Sequence, residues 1–233
     1  MISIIIPVLN EASTIPMLLN DISNKATLQN ISEIIIVDGG SADATIDLAL
    51  QFSEILPIVI IKSDKGRAKQ MNGGAQNATG DILYFLHADT LLPQRFDFQI
   101  ISEVNKGNLA GCFRMKFDSN HPILKLSQWF TRFNLKSCRG GDQSLFVSNE
   151  VFEKLNGYNE EFTVYEDCEF INRIYDQYNF TIIKDYVTTS ARRYQNNGTL
   201  KLQYHFAIIH FKKWFGATPN SLSRYYYKNI ISH

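Results

Sequence analysis

His87 and Asp89 stand two positions apart at the end of the run ILYFLHADT, residues 82–90. Imidazole and carboxylate groups both ligate metals. The segment before them is too rich in Ile, Leu, Tyr and Phe to lie on a surface. Read as a buried strand, it would aim both side chains the same way, because strand side chains alternate with period two. Ligands of open α/β sheets bind beyond the carboxyl ends of the strands, so the pair is expected at the mouth of a site.

Other residues could serve that mouth. Glu166 and Asp167 are adjacent carboxylates at a predicted helix start. They are either first-turn acids that favour the helix or, facing the metal edge, a general base. Arg67 opens a predicted helix over 67–78, where the dipole offers a cation nothing. A phosphate held nearby would account for it; an ordinary solvated arginine is the alternative. Arg192 and Arg193 follow a predicted strand at 187–190. Their guanidinium forks suit a pyrophosphate, with a solvated basic face as the alternative. Asp38, followed by Gly39 and Gly40, suits hydrogen bonding to a ribose or base with close backbone approach. The same residues also read as a turn into a helix capped by Ser41 or Asp43. Asn10 and Glu11 would either begin a helix capped by Asn10 or Ser13, or contact a nucleotide. Gly141, Asp142 and Gln143 lie in a polar, glycine-rich loop.

These groups need a scaffold, and the chain supplies a repeating one. Strands are expected at 2–9, 34–37, 58–61 and 82–86, with Pro7 near the end of the first because it cannot donate to a ladder. Helical spacing fills the gaps, through Leu18, Leu19 and Ile22, over 45–52, and over 67–78. Alternating strands and helices argue for an α/β fold with a single mostly parallel sheet flanked by helices. The second half is less regular. Strands are expected at 108–117, 144–147 and 187–190. Helices are expected at 123–133, after Asn149 as cap, and after Glu166-Asp167. A C-terminal helical extension covers 201–215 and 221–231, and its aromatic and basic mix suits an interfacial surface.

Composition narrows the classes. The 233 residues suit one domain. Formal net charge is zero, so no general affinity for nucleic acid is indicated. Cys112, Cys138 and Cys168 are odd in number and scattered, which disfavours a disulfide framework or zinc site and fits a cytoplasmic setting. The opening run reads as a strand and not as a signal peptide. No apolar stretch nears the ~20 residues needed to span a bilayer. The absence of GxGxxG and Walker A patterns disfavours a dinucleotide site and a P-loop.

Taken in order, IIIPVLNE, IIIVDGGSAD, GRAKQMNGGAQNATGDILYFLHADT, GGDQSLFVSNEVFEKLNGYNE and YEDCEFINRI resemble the family 2 glycosyltransferases of the GT-A fold. The resemblance covers nearly the whole chain and is nearest to the short bacterial branch with an SARRY-type segment, here Ser190–Tyr194. It implies an inverting, metal-dependent transfer of a sugar from a nucleotide-diphospho-sugar, UDP-linked by family prevalence, to a hydroxyl acceptor that could be lipid-linked. Asp89 matches the metal-binding Asp of the DxD motif, with Mn2+ or Mg2+ as the divalent metal. His87 replaces that motif's first Asp, and its role stays open between nucleotide contact, a water-mediated reach to the metal, and packing. The resemblance implies nucleotide contacts from Pro7, Asn10, Glu11, Asp38, Gly39, Arg67 and His87. It places Gly141, Asp142 and Gln143 near donor sugar and acceptor, and Arg192 and Arg193 on the diphosphate. Asp167 is the implied base, with Glu166 its neighbour. The implied organisation is a single domain with a nucleotide-binding half (1–90), an acceptor and catalytic half (91–195) and a helical tail (196–233). The cysteine usage points to a cytoplasmic setting, and the tail's aromatic and basic mix leaves peripheral contact on the inner face of the cell membrane as an option. Two alternatives compete. A sugar-nucleotide pyrophosphorylase would need a GxGxRL-type loop that the chain lacks. A non-catalytic sugar-nucleotide-binding protein or scaffold is disfavoured by the presence of both Asp89 and Asp167.

Overall fold

A computed structural model describes residues 1–231; the last two residues of the expected tail lie outside them. Eight strands form one sheet: β1 (Ile2–Val8), β2 (Ile31–Asp38), β3 (Ile58–Lys62), β4 (Ile82–Phe85), β5 (Thr90–Leu91), β6 (Ala110–Phe117), β7 (Leu145–Ser148) and β8 (Phe180–Thr189). Their order is β3-β2-β1-β4-β7-β6-β8-β5. Ten helices accompany them: α1 (Ile15–Lys25), α2 (Thr45–Leu50), α3 (Arg67–Gln76), α4 (Phe96–Asn105), α5 (Pro122–Phe130), α6 (Asn149–Lys154), α7 (Glu166–Gln177), α8 (Arg192–Asn197), α9 (Thr199–Trp214) and α10 (Pro219–Tyr226), the last continuing as a π-helical turn over Tyr227–Ile231.

The continuous apolar runs follow from burial on both faces of the sheet. Period-two alternation sends Ile2, Ile4 and Ile6 into one core, while Ile5 enters the other. Tyr84 and Leu83 divide in the same way. The first core lies under α1, α4 and the C-terminal helices; the second lies under α3, α6 and α7.

The expected α/β architecture is present, and the sheet is more mixed than expected. β1, β2, β3 and β4 pair in parallel, as do β6 and β8, but β7 runs antiparallel to both β4 and β6, and β5 antiparallel to β8. The antiparallel β4–β7 pair places Phe85 opposite Leu145. The loop entering β7 therefore meets the loop leaving β4.

Local details also differ. β4 stops at Phe85, and residues 87–90 form a turn closed by Thr90 N–H donating to His87 O at 3.2 Å. His87 and Asp89 thus share the site through a turn and not through strand alternation. Neither Asn10 nor Ser13 caps α1; Thr14 holds that position and its hydroxyl donates to Glu11. The cap of α6 is Ser148, which accepts from Val151 N–H, because Asn149 is already the first helical residue.

Candidate active site

At the carboxyl edge of β1 and β2 the buried Gln70 of α3 ties the strands together. Its Nε2 donates to Val8 O and Val37 O, both at 2.8 Å. Gly39 packs on that amide; a Cβ there would press on the Gln70 side chain. Asp38 is buried, and its Oδ1 accepts from Gly40 and Ser41 N–H at 3.2 and 2.8 Å, so one carboxylate oxygen holds the turn. Pro7 lies within β1 opposite Val37. Asn10 has φ +56 and stitches the two loops: its N–H donates to Ser41 Oγ at 3.0 Å and its Oδ1 accepts from Ala42 N–H at 2.8 Å. Asp43 accepts from Thr45 N–H at 3.0 Å, one residue ahead of α2's formal cap.

The chemistry-bearing groups meet one strand further on. His87 is buried, with Nδ1 3.4 Å from Asp142 Oδ1 and Nε2 4.0 Å from Asp167 Oδ2. Three sequence regions thus converge: the turn after β4, the loop before β7 and the start of α7. Burial and Arg67 oppose protonation of His87, but its hydrogen bond to Asp142 and the charges of Asp167 and Asp142 outweigh them and raise its pKa. Burial opposes ionisation of Asp142, yet His87, Arg67 and Arg193 together lower its pKa. Asp167 and Glu166 respond the other way. Burial raises both, His87 and Arg67 only partly offset it, and Glu166, beside Asp167, is pushed up to about 7.

Arg67 faces these acids from α3. Desolvation works against its charge, but Glu166, Asp167, Asp142 and Asp89 together raise its pKa. The Arg67 side chain is nevertheless exposed and forms no ion pair among the described residues, so these acids act on it through their field and not by contact. Arg193 stacks on Phe206 of α9 and Tyr226 of α10, its guanidinium carbon 5.6 and 5.3 Å from the ring centres. Its pKa is lowered by burial and by Arg67, with Asp142 acting in the opposite sense. Arg192 points elsewhere, its Nη2 3.4 Å from Glu11 Oε2 and its Nη1 3.5 Å from Ser13 Oγ. The structure therefore brings Arg193, and not Arg192, to the acid cluster. Arg192 and Asp89 line a small cavity with Thr14, Asp118 and Ser190.

The glycine-rich loop divides its labour. Asp142 reaches His87. Gly141 abuts Asp167, and a Cβ there would overlap the carboxylate. Gln143 turns inward, where its Oε1 accepts from Arg139 and its Nε2 donates to Cys138 O at 2.6 Å. The buried Arg139 also donates to Thr131 O at 2.9 Å. Gln143 is thus a strut of the loop and does not join the cluster.

Two residues escaped sequence reasoning. Tyr165, just before the acid pair, sits at φ +77, a costly conformation for an aromatic residue. His210 of α9 packs edge-on against its ring at 5.0 Å. Tyr158 is buried near Asp167 and Glu166, and its hydroxyl has no hydrogen-bond partner among the described residues. Aromatic residues flanking YED and following Gly157 were the available signal, but periodicity assigns such residues to the core.

Among the described residues no group of three or more His, Cys, Asp or Glu side chains could hold a metal ion by itself. Asp89 is nevertheless a fitting single ligand. Burial and the carboxylates of Asp142 and Glu11 raise its pKa against the pull of His87 and Arg67, so a cation there would relieve crowded negative charge. Magnesium-type ions are commonly held by one or two carboxylates together with substrate phosphates.

Comparison with known proteins bears on the family and the fold. Glycosyltransferase AglE of Haloferax volcanii is 26% identical over 198 residues, covering 80% of this chain and 65% of that protein. A mycobacterial PGL/p-HBAD biosynthesis glycosyltransferase (Mycobacterium bovis) is 41% identical over 95 residues, covering 40% of this chain and 36% of its own length. The chain thus spans less than two thirds of these curated relatives. In fold it is similar to the mannosyltransferase PcManGT of Pyrobaculum calidifontis, solved with GDP-Man and Mn2+, at TM-score 0.72 and 18% identity, covering 97% of this chain and 69% of that one. It is also similar to S. aureus TarS, at TM-score 0.71 and 16% identity, covering 81% and 36%; a TarS fragment has been solved with UDP-GlcNAc. Both are GT-A type neighbours. The description "Glycosyl transferase family 2" matches residues 3–180, and the chain belongs to that family.

Proposed function

We propose that this protein is an inverting glycosyltransferase that moves a sugar from a nucleotide-diphospho-sugar to a hydroxyl acceptor. One observation carries the reading. Glu166, buried, and Asp167, partly buried, gather with His87 and two arginines at the carboxyl edge of the parallel strands, and Arg67 also feels the charge of Asp89. The nucleotide-sugar ligands of PcManGT and TarS support the donor class, and UDP is the first choice of nucleotide.

Asp167 is the proposed general base. In this reading an acceptor hydroxyl loses its proton to the Asp167 carboxylate as its oxygen attacks the anomeric carbon. The bond from that carbon to the diphosphate oxygen breaks on the opposite face, which inverts the centre. Base assistance of this kind contributes typically ~10²–10⁴-fold. Arg67 and Arg193 are the proposed partners of the charge that develops on the departing diphosphate, and Asp142 is the proposed group that orients His87 beside Asp167. Asp38, Gly39, Asn10, Glu11 and Pro7 form the proposed nucleoside-facing edge. A divalent ion, Mn2+ or Mg2+, bound by Asp89 and diphosphate oxygens would neutralise leaving-group charge. The proposed setting is cytoplasmic, where the three free cysteines stay reduced.

Thermal unfolding with UDP, GDP, CMP and dTDP, each with and without Mn2+, tests the reading. A ligand at ~100 times its dissociation constant adds about 2.7 kcal/mol to the folded state. A metal-dependent rise with one nucleotide is expected. No rise with any of them would overturn the donor site.

A further inference from the structure

Two helices that pack on each other carry exposed apolar stripes. On α5, Trp129 and Phe130 are exposed and gather with Phe133, with Trp129 ring centres 5.3 and 4.8 Å from the other two. On α9, Phe211 and Trp214 flank Phe215 at 4.6 and 5.2 Å, and Trp214 is 78% exposed. The opposite side of α9 is already committed, since Leu202 and Ile209 are buried in the first core. A helix that only covered a core would be polar on its outer face. Gln203 Nε2 of α9 donates to Ser127 Oγ of α5 at 3.3 Å, joining the two helices.

Charge is segregated onto the same segments. Residues 119–141 hold four basic residues and no acidic one, and residues 186–231 hold seven and none, in a chain of zero net charge. Lys125, Arg132 and Lys201 are exposed and form no ion pair with a carboxylate among the described residues, while Lys212 and Lys213, likewise without an acidic partner, rest over the Tyr225 and Phe162 rings at 5.3 and 4.7 Å. Exposed Trp and Phe on segments that also carry the exposed cations Lys125, Arg132 and Lys201 match an anionic bilayer surface, where rings seat at headgroup level and cationic groups meet phosphates. A second copy of the chain would bring two basic segments together, and like charges repel.

We propose that the α5–α9 face docks this protein on an anionic membrane. The inner side of the docking helix holds the candidate active site: Phe206 underlies Arg193, and His210 packs on Tyr165 beside the acid pair. That arrangement suits an acceptor hydroxyl carried on a lipid. This last clause rests on the transferase reading; the docking itself does not.

Vesicle flotation of the full chain, without nucleotide, tests the docking independently of donor binding. The probes are vesicles of phosphatidylcholine alone and of phosphatidylcholine mixed with phosphatidylglycerol. Binding is expected only to the mixed vesicles, and it should weaken as salt rises. The double variant Trp214→Ser/Phe215→Ser should lose about tenfold or more in affinity with an unchanged melting temperature, since both side chains are solvent-facing. Lys201→Glu should bind more weakly at low salt. Absence of binding to anionic vesicles at low salt would overturn the proposal, as would equal binding by the double variant. So would a dimer in sedimentation that the double variant abolishes.

Discussion

Gly141 lies directly against Asp167, so closely that a Cβ at position 141 would come within 3.0 Å of the carboxylate. The glycine-rich loop and the start of α7 are therefore fitted to each other, with the proposed base held where no larger residue can precede Asp142. Gly141→Ala must displace the carboxylate or the loop. A fall of ~10–10² in kcat is expected, because small misplacements of reacting groups are costly. Steady-state kinetics beside a melting curve would check it; full activity would show that Asp167's position is not critical.

Asp167→Asn keeps shape and removes the proton acceptor. Turnover should fall ~10²–10⁴-fold, while nucleotide affinity stays within a few-fold. Burial raises the wild-type Asp167 pKa, so the acid limb of the rate profile should lie above the ordinary aspartate range, with activity lost as pH falls through it. An unchanged rate in the variant would move the base to another group.

Glu166 carries a stability consequence with a definite sign. Its folded pKa of about 7 exceeds the usual 4.5, so the folded state retains a proton that the unfolded chain releases. The cost of burying its charge accumulates from about pH 4.5 and is complete above pH 7. Glu166→Gln should therefore match wild type in acid and exceed it at pH 8 by on the order of 1–3 kcal/mol. Denaturant unfolding at the two pH values would show whether the gap opens.

Arg193 is held between Phe206 and Tyr226, and a lysine has neither the planar stack nor the fork. Arg193→Lys should weaken nucleoside diphosphate binding by roughly 10-fold, the scale of a charge-assisted hydrogen bond. Arg192→Lys should have a smaller effect, because that side chain reaches Glu11 and not the acid cluster. Calorimetric titration of both variants would separate them.

Metal dependence can be read without turnover. Chelation should abolish the melting-temperature rise with nucleoside diphosphate, and Asp89→Asn should reproduce that loss when Mn2+ is present. A rise that survives chelation would leave Asp89 without its proposed role.

Much of this was legible in the linear chain, because its signals are local. Doubly buried strands announce themselves as continuous runs such as Ile2–Val8, and the acid pair at Glu166-Asp167 begins α7 as its position suggested. The order of the motifs carried the family. What the sequence could not decide depends on which segments meet. Antiparallel β7 beside β4 delivers Asp142 to His87 from 55 residues away in the chain, and no periodicity within either segment encodes that pairing. Adjacent arginines looked equivalent until packing against Phe206 and Tyr226 turned one inward and left the other at Glu11. Gln143 looked like its neighbour Asp142 until the buried Arg139 claimed it. Residue type sets which chemistry a side chain can do; burial, neighbouring charge and backbone direction, which arise only on folding, set whether it is in position to do it.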